Sequence, residues 1–135
     1  MSGMYFPHAE YEVRWEAVQA EMARRGYETA VIWSRSAGTH ERCADVLYLT
    51  HWYSCHSGHE PEVPLWSARA HAAVIMQKGE TPHLHMDEPA PRMELLSTDH
   101  VDWHMNPVEG VASELKSRGV SGKVAFAGSD FFGAK

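Results

Sequence analysis

The sequence lacks several features that would assign the chain to a specialised class of protein. No apolar run approaches the roughly 20 residues that a membrane-spanning helix requires. Positive charge is also scarce, because 12 Lys and Arg residues face 18 Asp and Glu residues, for a formal net charge of -6. Non-specific binding to nucleic acid or to an anionic membrane requires a positive face. The sequence therefore predicts neither nucleic acid nor a membrane as a partner.

Cysteine is rare as well, with only Cys43 and Cys55 in the chain. The N-terminal residues lack the basic and apolar regions of a secretory signal peptide. We therefore expect a cytoplasmic location and reduced thiols rather than a disulfide. A glycine-rich phosphate loop is missing too, because the GSDFFG segment has neither the dinucleotide-binding nor the Walker spacing.

The composition is that of a globular domain. Hydrophobic residues make up 44% and charged residues 22% of the 135 residues, a balance that supports one core. We expect a single domain over residues 1–135. Because SDFFGAK ends the chain where a further helix should begin, we also expect a fragment of a longer protein whose C-terminal part is absent.

Hydrophobic periodicity predicts a helix and then a buried strand near the N-terminus. Apolar residues fall on one face of a helix over Glu10–Arg25, at Tyr11, Trp15, Val18 and Met22. Thr29–Trp33 has no polar alternation, which is typical of a strand covered on both faces. The apolar residues within Asp45–Thr50 fit either a helical turn or a short strand.

A hairpin is predicted in the second half of the chain. Ala70–Met76 is strand-like, turn residues follow at Gly79–Pro82, and a second run covers His83–Asp87. In this run His83, His85 and Asp87 alternate with Leu84 and Met86. We interpret the polar set as a solvent-facing sheet surface that is able to bind metal adventitiously.

A capped helix and a last strand follow the hairpin. A short strand is expected at Val101–Trp103, and Asn106 before Pro107 is a helix start. The inner face of this helix is predicted from its apolar residues, Val108, Val111, Ala112 and Leu115. Lys123–Gly128 is then a strand reached through a βαβ crossover, so the whole pattern indicates a layered α/β domain.

The segment Asp45–Glu60 contains the greatest concentration of chemically active side chains. A zinc site is one reading of its Cys55, His56, His59 and Glu60. Ser57, Gly58 and Pro61 disfavour the helix that would bring those ligands together. Nucleophilic catalysis by Cys55 with His56 is disfavoured, because neighbours on an extended chain point to opposite sides. We therefore predict no catalytic and no metal-binding residue here.

Taken in order, several segments resemble the N-terminal domain of the creatinase and prolidase (Xaa-Pro aminopeptidase) family of metallopeptidases. They are EYEVRWEAVQAEMARRGYETAVIW, DVLYLTHW, the hairpin from AAVIM to HLHMDEP, NPVEGVASELKSRG and KVAFAGSDFF. Each motif is common, but their order and spacing over residues 10–132 are specific.

The resemblance implies a three-layer α/β domain of the ribonuclease-H-like type, with a mixed sheet flanked by helices. In the family this domain precedes a catalytic domain that holds two divalent metals, such as Mn, Co or Zn, through two Asp, one His and two Glu residues. It implies that this chain is inactive alone and contains no cofactor. Its implied partners are that catalytic domain, a second subunit in a homodimer, and a small peptide or creatine-like substrate.

The resemblance also implies a role for the residues after Tyr48–Thr50, which match a Tyr-Leu-Thr-Gly-Phe-like segment. In family members the loop that follows reaches the active site of a partner subunit. This makes His51, Trp52, Tyr53 and His56 candidates for the substrate pocket, although His51 replaces the usual glycine. The alternative function is a free-standing small-molecule or metal-binding module that uses the Asp45–Glu60 loop.

Overall fold

A computed structural model describes residues 6–35, 44–53, 71–87 and 92–128 of the chain. These ranges form α-helices and β-strands, which confirms the predicted α/β class. In chain order the elements are α1 (His8–Arg25), β1 (Thr29–Arg35), α2 (Ala44–Thr50), β2 (His71–Gln77), β3 (His83–Met86), a 3-10 helix (Met93–Leu95), β4 (Val101–Trp103), α3 (Pro107–Ser117) and β5 (Val124–Ala127).

The strands form one mixed sheet in the order β4-β3-β2-β1-β5. Antiparallel pairing joins β1 to β2 and β2 to β3, so the predicted hairpin is confirmed. Parallel pairing joins β1 to β5 and β3 to β4. The strands β4 and β5 therefore run in the same direction, as a βαβ crossover requires, but they lie at opposite edges of the sheet with α3 between them in sequence.

Helix α1 follows the predicted apolar periodicity and begins two residues earlier than expected. Tyr11, Trp15 and Met22 are buried on the side that faces the sheet. Pro7 precedes the helix without a side-chain cap. At the other end Gly26 has a φ of 79°, and its N–H donates to the carbonyl of Ala23. A left-handed residue at this position favours glycine, which explains where the helix ends.

The segment Asp45–Thr50, for which the sequence fits either a helix or a strand, lies in the helix α2. Its apolar side chains Val46 and Leu49 are buried against the sheet and α1. The chain leaves the helix at His51, whose φ is 59°. Within the described ranges, no helix combines the length and the apolar character that a membrane crossing requires.

Helices cover both faces of the sheet. One face, with α1 and α2, forms an apolar core that includes Ile32, Val74 and Leu84. The opposite face packs Trp33 and Ile75 against α3. Alternate residues of a strand point to opposite faces, so β1, β2 and β3 supply side chains to both layers. The arrangement is compatible with three layers, helix on sheet on helix.

Helix α3 confirms its predicted start and corrects its predicted inner face. The side chain of Asn106 accepts a hydrogen bond from the backbone N–H of Val108, with Pro107 at the first helical position. Val111 is buried and Leu115 is partly buried, as predicted. Val108 is 58% exposed, and Ala112 is exposed as well. The helix is rotated so that Glu114, rather than these residues, lies beside β3.

Candidate functional site

A cluster of imidazoles lies between α3 and the sheet, on strands β3 and β4. We define the histidine cluster as His83, His85, His100, Asp102 and His104. His83 and His85 are 2% and 0% exposed. The prediction that they form a solvent-facing surface with Asp87 is therefore wrong, since Asp87 is buried as well, although Leu84 and Met86 do lie on the opposite side of the strand in the apolar core. A sheet face with this alternating pattern is often exposed to solvent, but here helix α3 and neighbouring rings cover it.

The pairing of two parallel strands places Asp102 in the cluster. In the register of β3 and β4, Asp102 is the Cα partner of His85. Its Oδ2 atom lies 2.6 Å from Nε2 of His83. The side chain of Asp102 is 53% exposed, whereas that of His83 is 2% exposed. Asp102, like the exposed His100, therefore meets solvent.

The two ring nitrogens of His83 have different partners, which fixes the position of its proton. Nη2 of Arg118 donates to Nδ1 over 2.8 Å, so Nδ1 is an acceptor and carries no proton. The proton is then on Nε2, which donates to Asp102. Burial lowers the pKa of His83 more than the Asp102 hydrogen bond raises it. At neutral pH the ring is neutral.

His85 is the most enclosed member of the histidine cluster. Its Nδ1 lies 2.8 Å from Nε2 of His104. Its Nε2 is buried and has no hydrogen-bond partner among the described residues. Burial, with smaller contributions from His83 and His104, lowers the pKa of His85 to about 3. The ring is therefore neutral at physiological pH and has one nitrogen with a free lone pair or an unsatisfied N–H.

Ring contacts connect the buried pair to the remaining histidines. The rings of His83 and His100 are stacked with centroids 3.5 Å apart, and those of His83 and His85 lie 4.0 Å apart. The ring of His104 is stacked on that of His85 at 5.0 Å and packs against Gly110. A Cβ atom at Gly110 would lie 2.4 Å from the His104 ring, so glycine permits the close approach of α3.

Arg118 organises the charges at the end of α3. Its Nε donates to Glu114 over 2.7 Å, and its Nη1 donates to Gln77 and Glu80. The hydrogen bond from Arg118 lowers the pKa of Glu114 below its ordinary value. Oε1 of Glu114 also lies 3.6 Å from Nδ1 of His83. Two groups, one basic and one acidic, thus compete for the same imidazole nitrogen.

The carboxyl of Asp102 is ionised at neutral pH. Burial raises its pKa, but the hydrogen bond from His83 and the neighbouring imidazoles outweigh this effect and hold the pKa below its ordinary value. Ligand atoms from His83, His85 and Asp102 lie within 4.8 Å of one another. Of the residues that the structure describes, this group alone offers three such atoms at metal-binding distances.

An open groove of about 660 Å³ runs along α3 beside the histidine cluster. It is lined by residues from His104 to Ser117, with Glu109 and Glu114 among them. The groove gives solvent and small solutes access to the outer side of His104.

Two of the substrate-pocket residues predicted after α2, His51 and Trp52, lie beside α1, on the opposite face of the sheet from the histidine cluster. Trp52 is 1% exposed and belongs to the apolar core under α1, which favours packing as its role. Tyr53 is 40% exposed. His51 is half-buried, and its Nδ1 lies 2.7 Å from the carbonyl oxygen of Leu95. His56 lies outside the described residues, as do Cys55, His59 and Glu60 of the zinc alternative.

The sequence predicts the polar alternation of β3 and a short strand at Val101–Trp103, and the polar alternation around that second strand is the signal that points to the cluster. In HVDWH, the residues His100, Asp102 and His104 alternate with Val101 and Trp103 just as His83 and His85 alternate with Leu84 and Met86. Two such strands side by side form one polar face. The sequence does not state that β3 and β4 are adjacent and parallel, and this pairing creates the cluster.

Comparison with known proteins returned no family model, no curated protein and no solved structure that matches the chain.

Proposed function

We propose that this chain is the non-catalytic N-terminal domain of a creatinase- or prolidase-like metallohydrolase, in which it shapes the substrate pocket and contacts a second subunit. A ribonuclease-H-like fold is part of the same proposal. Both rest on the ordered segments described above. The structural observation that supports them is the mixed five-stranded sheet with helices on both faces, since this is the architecture that the resemblance implies.

The end of α2 is the surface that this function would use. Tyr48 and Tyr53 are 52% and 40% exposed, and exposed aromatic rings are favoured at protein interfaces. Trp52 lies between them in sequence and is anchored in the core. In this proposal Trp52 positions the segment, while His51, Tyr53 and His56 contact the substrate or the partner subunit.

Nearby contacts hold this surface in place. The guanidinium of Arg14 lies 4.3 Å from the ring centroid of Tyr48 and 4.9 Å from that of Tyr11. Nη1 of Arg14 also donates to the backbone carbonyl of Tyr48 over 2.9 Å. The indole N–H of Trp15 donates to the carbonyl of Leu49 over 2.7 Å. A rigid support of this kind is what a pocket wall requires.

The coding sequence after Lys135 provides the first test. We expect it to continue into a domain with two Asp, one His and two Glu metal ligands. The full-length protein should then hydrolyse an Xaa-Pro dipeptide or creatine when manganese is added, whereas the 135-residue chain should show no turnover. A stop codon after Lys135, or hydrolysis by the 135-residue chain alone, would contradict the proposal.

A substitution in the full-length enzyme tests the pocket role. Tyr53→Ala should reduce kcat/KM about tenfold, which corresponds to a lost contact of about 1.4 kcal/mol. Val108→Ala is the matched control, because Val108 is also an exposed apolar residue but lies on α3. Equal activity of the two variants would exclude a substrate contact by Tyr53.

A further inference from the structure

We propose that the histidine cluster binds a divalent transition-metal ion, with His83, His85 and Asp102 as its protein ligands. This site is separate from the catalytic metals that the proposed function assigns to another domain. None of its three ligands belongs to the Cys55 to Glu60 segment. The proposal therefore does not depend on the enzyme family to which the chain belongs.

The spacing of the ligand atoms supports the proposal. One atom from each of the three side chains lies within 4.8 Å of the other two. In a tetrahedral zinc site with bonds of about 2.0 Å, ligand atoms are about 3.3 Å apart. The present distance of 2.6 Å between His83 and Asp102 is shorter, because a hydrogen bond joins them. An ion would replace this hydrogen bond, and the distance between the two atoms would increase by less than about 1 Å.

The unpartnered nitrogen of His85 is the second observation that indicates a ligand. Two tautomers are consistent with its contact to His104. If Nε2 of His85 carried the proton, a buried N–H would have no acceptor among the described residues. If Nδ1 carries the proton, it donates to Nε2 of His104, and Nε2 of His85 keeps a lone pair. The second tautomer is less costly, and it presents the nitrogen in the form that binds metals.

Acceptors also lie near the nitrogens that would not bind the ion. Metal-bound imidazoles almost always donate their other N–H to a carboxylate, a carbonyl or a similar acceptor. For His85 that acceptor is His104. For His83 the nearest carboxylate is Glu114, whose Oε1 lies 3.6 Å from Nδ1, while Nδ1 itself accepts from Arg118 in the metal-free protein. The outer partner of His85 is therefore already in place, and that of His83 is within about 1 Å of hydrogen-bond distance.

Metal binding requires a proton to move within His83. In the metal-free protein the proton is on Nε2, and Arg118 donates to Nδ1. When an ion bonds to Nε2, that proton transfers to Nδ1, and the ring stays neutral. The hydrogen bond from Arg118 to Nδ1 then breaks, and Nδ1–H donates to Glu114 after the two atoms approach from 3.6 Å. Arg118 keeps its hydrogen bonds to Glu80 and Gln77. No proton is lost overall, and Asp102 remains ionised throughout.

The type of ion follows from the donor atoms. Two neutral imidazoles and one carboxylate suit zinc, cobalt, nickel or copper better than magnesium or calcium, which prefer oxygen ligands alone. Three protein ligands leave a coordination position for water or for another ligand. Asp102, at 53% side-chain exposure, provides the route by which the ion reaches the buried imidazoles.

Isothermal titration calorimetry, in which zinc is added to the 135-residue chain, tests the proposal. We expect one ion per chain at this site and an at least tenfold weaker affinity in Asp102→Asn. This variant keeps the shape of an exposed side chain, so folding should be retained. His85→Leu, checked for folding by circular dichroism, should abolish the same binding. Gly110→Ala keeps all three ligands and places a Cβ atom against the His104 ring, so we expect about tenfold weaker binding.

Two controls distinguish this site from other histidines. His8→Gln alters an exposed imidazole, and a His56→Gln, His59→Gln double variant alters the segment after α2; both should bind zinc as the unmodified chain does. Unchanged zinc affinity in both Asp102→Asn and His85→Leu would overturn the proposal. So would loss of binding in the double variant alone, or the absence of binding by the unmodified chain.

Discussion

The two sides of strand β3 are equally buried and chemically opposite. Leu84 and Met86 are 0% and 1% exposed and join the apolar core under α1 and α2. His83 and His85 are just as enclosed, yet they face a polar network under α3. Burying an imidazole costs free energy unless its nitrogens are hydrogen-bonded. The apolar side stabilises the fold, whereas the histidine side bears a cost that a bound ion would offset.

The largest expected loss of stability comes from a substitution in the apolar core. Trp52→Ala should lower the free energy of unfolding by about 3–5 kcal/mol, because it removes a large side chain that is 1% exposed. Tyr53→Ala, at the next position and 40% exposed, should change it by less than about 1 kcal/mol. Urea denaturation measures both. Similar effects of the two substitutions would show that Trp52 does not anchor the segment.

The free energy cost of burying the histidines can be measured from the pH dependence of stability. A chelator keeps the protein free of metal in this experiment. His85 has a pKa of about 3 in the folded chain, well below the ordinary value of 6.5. Because the unfolded chain takes up its proton first, stability is complete above pH 6.5 and declines as the pH falls toward 3. Between pH 8 and pH 5 we expect a loss of about 2 kcal/mol from His85 alone.

The depressed pKa of His83 changes stability in the same direction. His85→Leu should therefore flatten the decline without removing it entirely. His8→Gln, an exposed control, should leave the decline unchanged. An identical pH profile for the unmodified chain and His85→Leu would mean that burial of His85 does not oppose its protonation.

A smaller effect is expected from loosening the helix that covers the histidine side. Asn106→Ala removes the side-chain acceptor for the N–H of Val108 and should cost about 1 kcal/mol. Ser113→Ala, on the exposed surface of the same helix, should cost less than about 0.5 kcal/mol. Thermal unfolding compares the two. A cost for Ser113→Ala that equals that for Asn106→Ala would argue against capping as the cause.

Local patterns in the sequence predict most elements of the fold, although they leave α2 open between helix and strand. The spacing of Tyr11, Trp15 and Met22 predicted α1, and Asn106 before Pro107 predicted α3, because helix periodicity and capping depend on neighbours in sequence. The turn at Gly79–Pro82 predicted the hairpin for the same reason. The orientation of α3 was not predictable, since Val108 is apolar and yet exposed.

The histidine cluster depends on contacts between residues that are distant in the chain. His83 and Asp102 are separated by 19 residues, and Arg118 lies 35 residues beyond His83. The period of two in each strand showed that the polar residues share a face, but it did not show which element covers that face. The sequence therefore predicts exposure where α3 produces burial. The roles of His51, Tyr53 and His56 in a substrate pocket stay predictions.

Imidazole NMR of the ¹⁵N-labelled chain tests the central claim most directly, because it observes the nitrogens themselves. In the metal-free protein we expect His83 to carry its proton on Nε2 and His85 on Nδ1. One equivalent of ¹¹³Cd²⁺ should move the His83 proton to Nδ1 and produce ¹¹³Cd–¹⁵N coupling at Nε2 of both rings. Unchanged His83 and His85 signals, with coupling at other histidines or at none, would contradict a metal site on β3.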